Sequence, residues 1–147
     1  MAISELPWSP EGRTESVVRA FVFPSGMPGF EHLRRFKLST DPGITPPFQL
    51  LTSEEDSSIG FYMVDPVLID ANYAIALPEA DERALAIRDG DEVMTLVIVT
   101  IAPDPSSTTV NLLAPVIINV TAGLGRQVIL DNSSYSIQTP LVAPAAS

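Results

Sequence analysis

Cysteine is absent from the 147 residues, histidine occurs once, and Lys and Arg together number eight against eighteen Asp and Glu. Without thiols there is no disulfide framework, no thiolate metal site and no cysteine nucleophile, which fits a reducing compartment. A net charge of −10 opposes a polyanionic partner, because phosphate binding rests on clustered cations, so direct nucleic-acid binding is not expected. No apolar run approaches the roughly 20 residues needed to span a bilayer. The opening residues, MAISELPWSPEG, lack a basic start leading into an apolar stretch and a small-residue cleavage site. A cytoplasmic protein with no membrane partner is therefore expected. NVT at Asn119 and NSS at Asn132 match the glycosylation sequon, but carry no weight without an export signal.

What the chain does have is strand-like runs cut short by fourteen prolines and eight glycines. SVVRAFVF ends at Pro24, which cannot donate to a ladder. PFQLLTS and IGFYMV are separated by the polar EEDSS and read as a hairpin. YAIAL continues the strand-like pattern. EVMTLVIVTIA is apolar at both alternating sets of positions, as in a strand buried on both sides. STTVNLLAPVIINV holds two strand-like halves broken at Ala114 and Pro115, and RQVIL follows the turn TAGLG. One helix is expected in PEADERALAI, with Pro78 and the acids at its start and Ala84, Leu85 and Ile87 as a small apolar face. A short helical turn after Pro66 is a weaker expectation. About eight or nine short strands and one short helix predict an all-β single domain built as an antiparallel β-barrel. Its expected limits are 16–141, between an N-terminal extension (1–15), where Trp8 hints at docking, and a loose tail over 142–147, PLVAPAAS reading as loose from Pro140 on.

Catalytic and cofactor chemistry find little support. SGMPGFEHLRRFKL places two glycines and a proline ahead of His32, Arg34, Arg35 and Lys37, yet no Gly-Lys-Ser/Thr follows to cradle a phosphate. It reads as a corner in which Gly26 and Gly29 take unusual dihedrals and Phe30 drops back into the core. His32 alone would have to serve any Ser-His-Asp arrangement, and no serine stands in a Gly-x-Ser-x-Gly elbow. The carboxylates of EED lack the spacing of a cation loop, and GLG at Gly123 is too short for a dinucleotide fingerprint. No catalytic residue, cofactor or metal is assigned. From Leu38 to Glu82 there is no Lys or Arg, while nine residues are acidic, among them Glu54, Glu55, Asp56, Asp65 and Asp70. Such a stretch attracts a basic protein partner, or serves only to keep the chain soluble.

The blocks FVFPSGMPGFEHLRRFKL, PFQLLTSEEDSSIGFYMVDP, VIVTI and TVNLLAPVIINVTAGLGRQVIL, with Tyr135 beyond them, resemble the FliW family of bacterial flagellar assembly factors in order and spacing. The resemblance covers about residues 17–141; Thr52 stands where the family pattern leads one to expect glutamine, and the first dozen residues look like an extension. It implies a non-enzymatic partner switch: a protein that binds the translational repressor CsrA, relieves its repression of flagellin mRNA, and also binds flagellin, which competes for it. On that reading Glu54, Glu55, Asp56 and Asp65 are the expected CsrA contacts, since exposed carboxylates steer a basic partner. Phe61, Met63, Asn111, Leu112 and Tyr135 are the expected flagellin contacts, the alternative for Phe61, Met63 and Leu112 being ordinary core. Rival readings are a secretion chaperone with no translational role, a small-ligand-binding barrel, and a hydrolase using His32.

Overall fold

The computed structural model describes residues 17–40, 48–130 and 134–141. The expected N-terminal extension, the docking of Trp8 and the 142–147 tail lie outside the described residues. Among the described residues, nine strands form one sheet: β1 Val17–Val22, β2 Arg35–Thr40, β3 Gln49–Ser53, β4 Gly60–Val64, β5 Val93–Thr100, β6 Thr109–Val110, β7 Val116–Asn119, β8 Leu124–Gln127 and β9 Thr139–Pro140. Their order is β4-β3-β2-β1-β8-β7-β5-β6-β9, and a further pairing of β4 with β5 closes the first seven into a barrel. All pairings are antiparallel except the junction of β1 and β8, where Val22 meets Leu124 in parallel and its N–H donates to the Gly123 carbonyl at 2.8 Å. The barrel-like all-β fold with one short helix is thus as expected, and this one parallel contact is the departure from an antiparallel ring.

Alternation places Phe21, Phe36, Leu38, Leu51, Met63, Leu96, Val116 and Ile118 inside the barrel with Phe23 and Met27. A second apolar layer lies outside it. Val64, Val97, Val99 and Val110 are covered by Phe48, Ile69, Tyr73, Tyr135 and Leu141, and Ile117 and Val128 by Leu85, Ile75, Leu77 and Ile87. Strand β5 therefore has an apolar neighbour on each side over its central residues, which explains its unbroken run of Leu, Val and Ile.

Several expectations change in detail. YAIAL forms no strand; it runs as an irregular strip whose Ile75 and Leu77 pack on the outer layer. The helix α1 is Glu79–Ala84, with Pro78 at its cap position and Leu85 and Ile87 beyond its end, so the residues that bury are not those of the helix proper. TAGLG is only partly a turn: Gly123 has φ 76°, but β8 already begins at Leu124. Gly125 sits in that strand against Phe23, where a Cβ would fall 2.6 Å from Cε1 of the ring. Val128 and Leu130 continue past β8 on bonds to the Pro115 and Leu113 carbonyls (both 2.9 Å). Pro140 and Leu141 are not loose: β9 pairs with β6, and Leu141 packs in the outer layer. The expected helical turn after Pro66 is a single 3-10 turn, Pro66–Leu68, capped by the Asp65 carboxylate, which accepts from Val67 N–H at 3.0 Å. Among the described residues no helix is long and apolar enough to cross a membrane.

Candidate functional site

The corner from Phe23 to Arg34 is held by its glycines. Gly26 has φ 66°, and a Cβ there would lie 2.6 Å from the Glu31 Cα, so no other residue fits without moving backbone. Phe30 returns toward the barrel, its N–H donating to the Met27 carbonyl at 2.7 Å, and its ring meets Phe61 edge-on at 5.8 Å. Phe61 leans on Phe36 at 6.4 Å, and Phe36 on Phe23 at 5.0 Å. Four phenyl rings thus run from the closed interior to a half-buried barrel end. His32 is exposed on this corner, and among the described residues no hydrogen bond joins it to a serine or a carboxylate.

The acidic hairpin packs beside the same corner. Ser53, buried at the end of β3, accepts from the N–H groups of Glu55 and Asp56 at 3.1 and 3.0 Å and shapes the turn. The Glu55 carboxylate then accepts from the backbone N–H of Arg35 at 2.9 Å and of Arg34 at 3.1 Å. These bonds, the Arg35 one foremost, hold its acid below the ordinary 4.5. Asp56 is held low by the Ser58 hydroxyl, which donates to it at 2.6 Å, and by the Ser58 N–H. Glu54 lies 3.8 Å from the Arg35 guanidinium. All three acids are exposed; Glu55 and Asp56 are anchored by bonds that favour their charged forms, while Glu54 makes only the looser approach to Arg35. Asp65 is exposed too, at the far end of β4, a strand length of roughly 15–20 Å away. The hairpin acids are together; Asp65 is apart from them.

The five apolar and amide residues do not gather in one place either. Phe61 and Met63 face the barrel interior, whereas Leu112 and Tyr135 belong to the outer layer. Met63 is 0% and Leu112 3% exposed, so a partner docking on the folded surface reaches neither side chain; both are core, the alternative their composition left open. Asn111 is half-buried and accepts from the N–H groups of Leu113 and Ala114 at 3.1 and 3.0 Å, shaping the chain break before β7. Tyr135 is half-buried, its hydroxyl accepting from the Ala74 N–H at 3.0 Å and donating to the Ala74 carbonyl at 3.2 Å. Its ring lies 4.6 Å from that of Tyr73, whose hydroxyl donates to the Leu112 carbonyl at 2.9 Å. Burial, with the neighbouring Tyr135, pushes the Tyr73 phenol up to about 12. Tyr73 was not singled out from sequence, because nothing in DANYAIAL signals that its partner lies more than sixty residues on.

Comparison with known proteins gives this surface a context. The family described as FliW protein matches residues 11–141. The flagellar assembly factor FliW of Thermosipho africanus is 41% identical over 120 residues, covering 81% of this chain and 82% of its own. The flagellar assembly factor FliW of Geobacter sulfurreducens is 38% identical over 128 residues, covering 87% and 79%. A crystal structure of the flagellar assembly factor FliW superposes with a TM-score of 0.79 at 33% identity, covering 86% of this chain and 87% of that one. With the family matched over most of its length, on the same barrel, the chain belongs to the FliW family of flagellar assembly factors.

Proposed function

We propose that this chain acts without enzymatic chemistry, in the cytoplasm, as a partner switch that binds the repressor CsrA, relieves repression of flagellin mRNA, and is itself taken up by flagellin. The observation that carries the CsrA reading is the anchored acidic hairpin. Glu54, Glu55 and Asp56 are exposed, and Glu55 and Asp56 are fixed by backbone and hydroxyl donors rather than left to rotate. Preorganised carboxylates lose less conformational entropy on binding a basic RNA-binding protein, and they repel the phosphate backbone that would compete for it. Asp65 is a separate acidic position at the far end of β4, a strand length from the hairpin. For flagellin, the half-buried Phe61, Asn111 and Tyr135 are the accessible groups among those expected, with the Phe30 ring beside Phe61 at the barrel end; Met63 and Leu112 support them from within.

Isothermal titration with the host's CsrA at two salt concentrations, repeated after saturation with flagellin, tests this. Binding that weakens with salt and is blocked by flagellin is expected. Binding to flagellin with none to CsrA would overturn the translational role and leave a secretion chaperone.

A further inference from the structure

Aspartates in the loops of this chain are tied down by the groups that follow them. The carboxylates of Asp56, Asp65, Asp70 and Asp104 each accept from the backbone N–H two residues on, at 3.0, 3.0, 2.9 and 3.0 Å. Asp91 accepts from the Arg88 N–H at 2.9 Å and from the buried Asn119 amide at 3.0 Å, and Asp81 is joined to Arg126. Among the described aspartates, Asp89 alone has neither a hydrogen bond nor an ion pair. Its side chain is exposed and free to turn back on its own main chain.

The residue after it is Gly90, and the pair Asp-Gly occurs nowhere else in the sequence. Gly90 is exposed, and its φ of 88° completes a turn closed by the Asp91 N–H on the Arg88 carbonyl at 3.0 Å. Nothing lies within 4 Å of where its Cβ would stand, and its N–H makes no hydrogen bond among the described residues. An unbonded amide nitrogen without a neighbouring side chain therefore stands next to an unbonded carboxyl, which is the arrangement that cyclisation needs. The Gly90 nitrogen adds to Cγ of Asp89, the Cγ hydroxyl leaves with the amide proton as water, and a five-membered imide forms. Water then opens the ring at either carbonyl. Attack at the side-chain carbonyl restores aspartate; attack at the main-chain carbonyl leaves the chain running through the Asp89 side chain, longer by one atom and unchanged in mass. That extra atom enters the turn that positions Asp91 on Asn119, next to Glu92, whose carbonyl accepts from the Val120 N–H at 2.8 Å.

We propose that Asp89–Gly90 is a modification site, at which aspartate converts to isoaspartate in the folded protein and loosens the segment 85–92 that Asn119 holds to the barrel. The folded chain, aged near neutral pH, is treated with an isoaspartyl O-methyltransferase and labelled S-adenosylmethionine, and the methylated peptide is located by tandem mass spectrometry. Label is expected to grow with age on the peptide that spans Asp89 and Gly90. Isoaspartate derived from an asparagine, such as Asn132 before Ser133, is told apart by the mass gain of deamidation. Asp89→Glu keeps the charge at an exposed position and would need a six-membered ring, which closes far more slowly, so the label at this site is expected to be lost. Amide exchange over 85–92 is expected to be faster in aged than in fresh protein and unchanged in β2 and β3. No label on the Asp89 peptide, label that survives Asp89→Glu, or a labelled protein with unaltered exchange over 85–92 would overturn the proposal.

Discussion

Glu55 is exposed and charged, yet its carboxylate is tied to the backbone of Arg34 and Arg35, twenty-one and twenty residues away in sequence. Because the folded-state acid is weakened in proton affinity by those N–H donors, the native state holds the deprotonated form better than the unfolded chain does. Its contribution to stability is therefore fully present above the ordinary value of 4.5 and is lost as pH falls through the lower folded value. Denaturant midpoints measured as pH is lowered from 4.5 through the folded value are expected to fall more steeply for the native chain than for Glu55→Gln; parallel curves would show that the bonds contribute nothing. The sequence showed that EED is an exposed acidic tip, since charge and turn chemistry are local. It did not show that one of the three acids caps another corner of the barrel, because the donors belong to a different hairpin. Gly125 makes the same point: its use lies in the Phe23 ring, about a hundred positions earlier, and not in the turn that GLG suggests.

Helix α1 is six residues long and none of them is buried. A helix this short is not stable alone in water, because nucleation costs more than one or two hydrogen bonds return. Its anchors come from the barrel. Asp81 and Arg126 are joined at 2.6 Å, and the fully buried Asn119 of β7 donates to the Leu85 carbonyl at 2.9 Å and to Asp91 at 3.0 Å. These contacts hold the turn where the chain leaves the helix, with Ala86 at φ 53°. Asn119→Ala leaves the Leu85 carbonyl without that donor and is expected to cost about 1–3 kcal/mol. Amide exchange over 85–92 should accelerate more than in β2 and β3; equal acceleration throughout would mean a general loss of packing instead. The helix start was legible in PEADER, where proline and early acids mark an N-terminus. Its end was not, since Leu85 leaves the helix to enter a layer formed by β7 and the segment after β8.

At the scale of the whole molecule, β5 is the shared element. It pairs with β4, β7 and β6, so it belongs both to the closed ring and to the short extension that carries β9. The amides of Leu96 to Val99 are expected to exchange only through global unfolding, at a rate that follows total stability in denaturant, while the Thr139 amide in the two-residue edge strand exchanges through local opening. Native-state hydrogen exchange checks this, and early exchange in β5 would refute the arrangement. Composition and short-range pattern by themselves determined the absence of thiol chemistry, the acidic surplus, the short strands, the hairpin of β3 and β4 and the doubly apolar β5. Each of these depends on a residue's own chemistry and on neighbours a few positions away. Only the tertiary structure decided that β1 and β8 close the ring and that Met63 and Leu112 are inside. Those outcomes rest on contacts between distant segments, such as Arg19 donating to the Val120 carbonyl at 2.8 Å, where burial on one side of a strand is settled by what the rest of the chain brings against it.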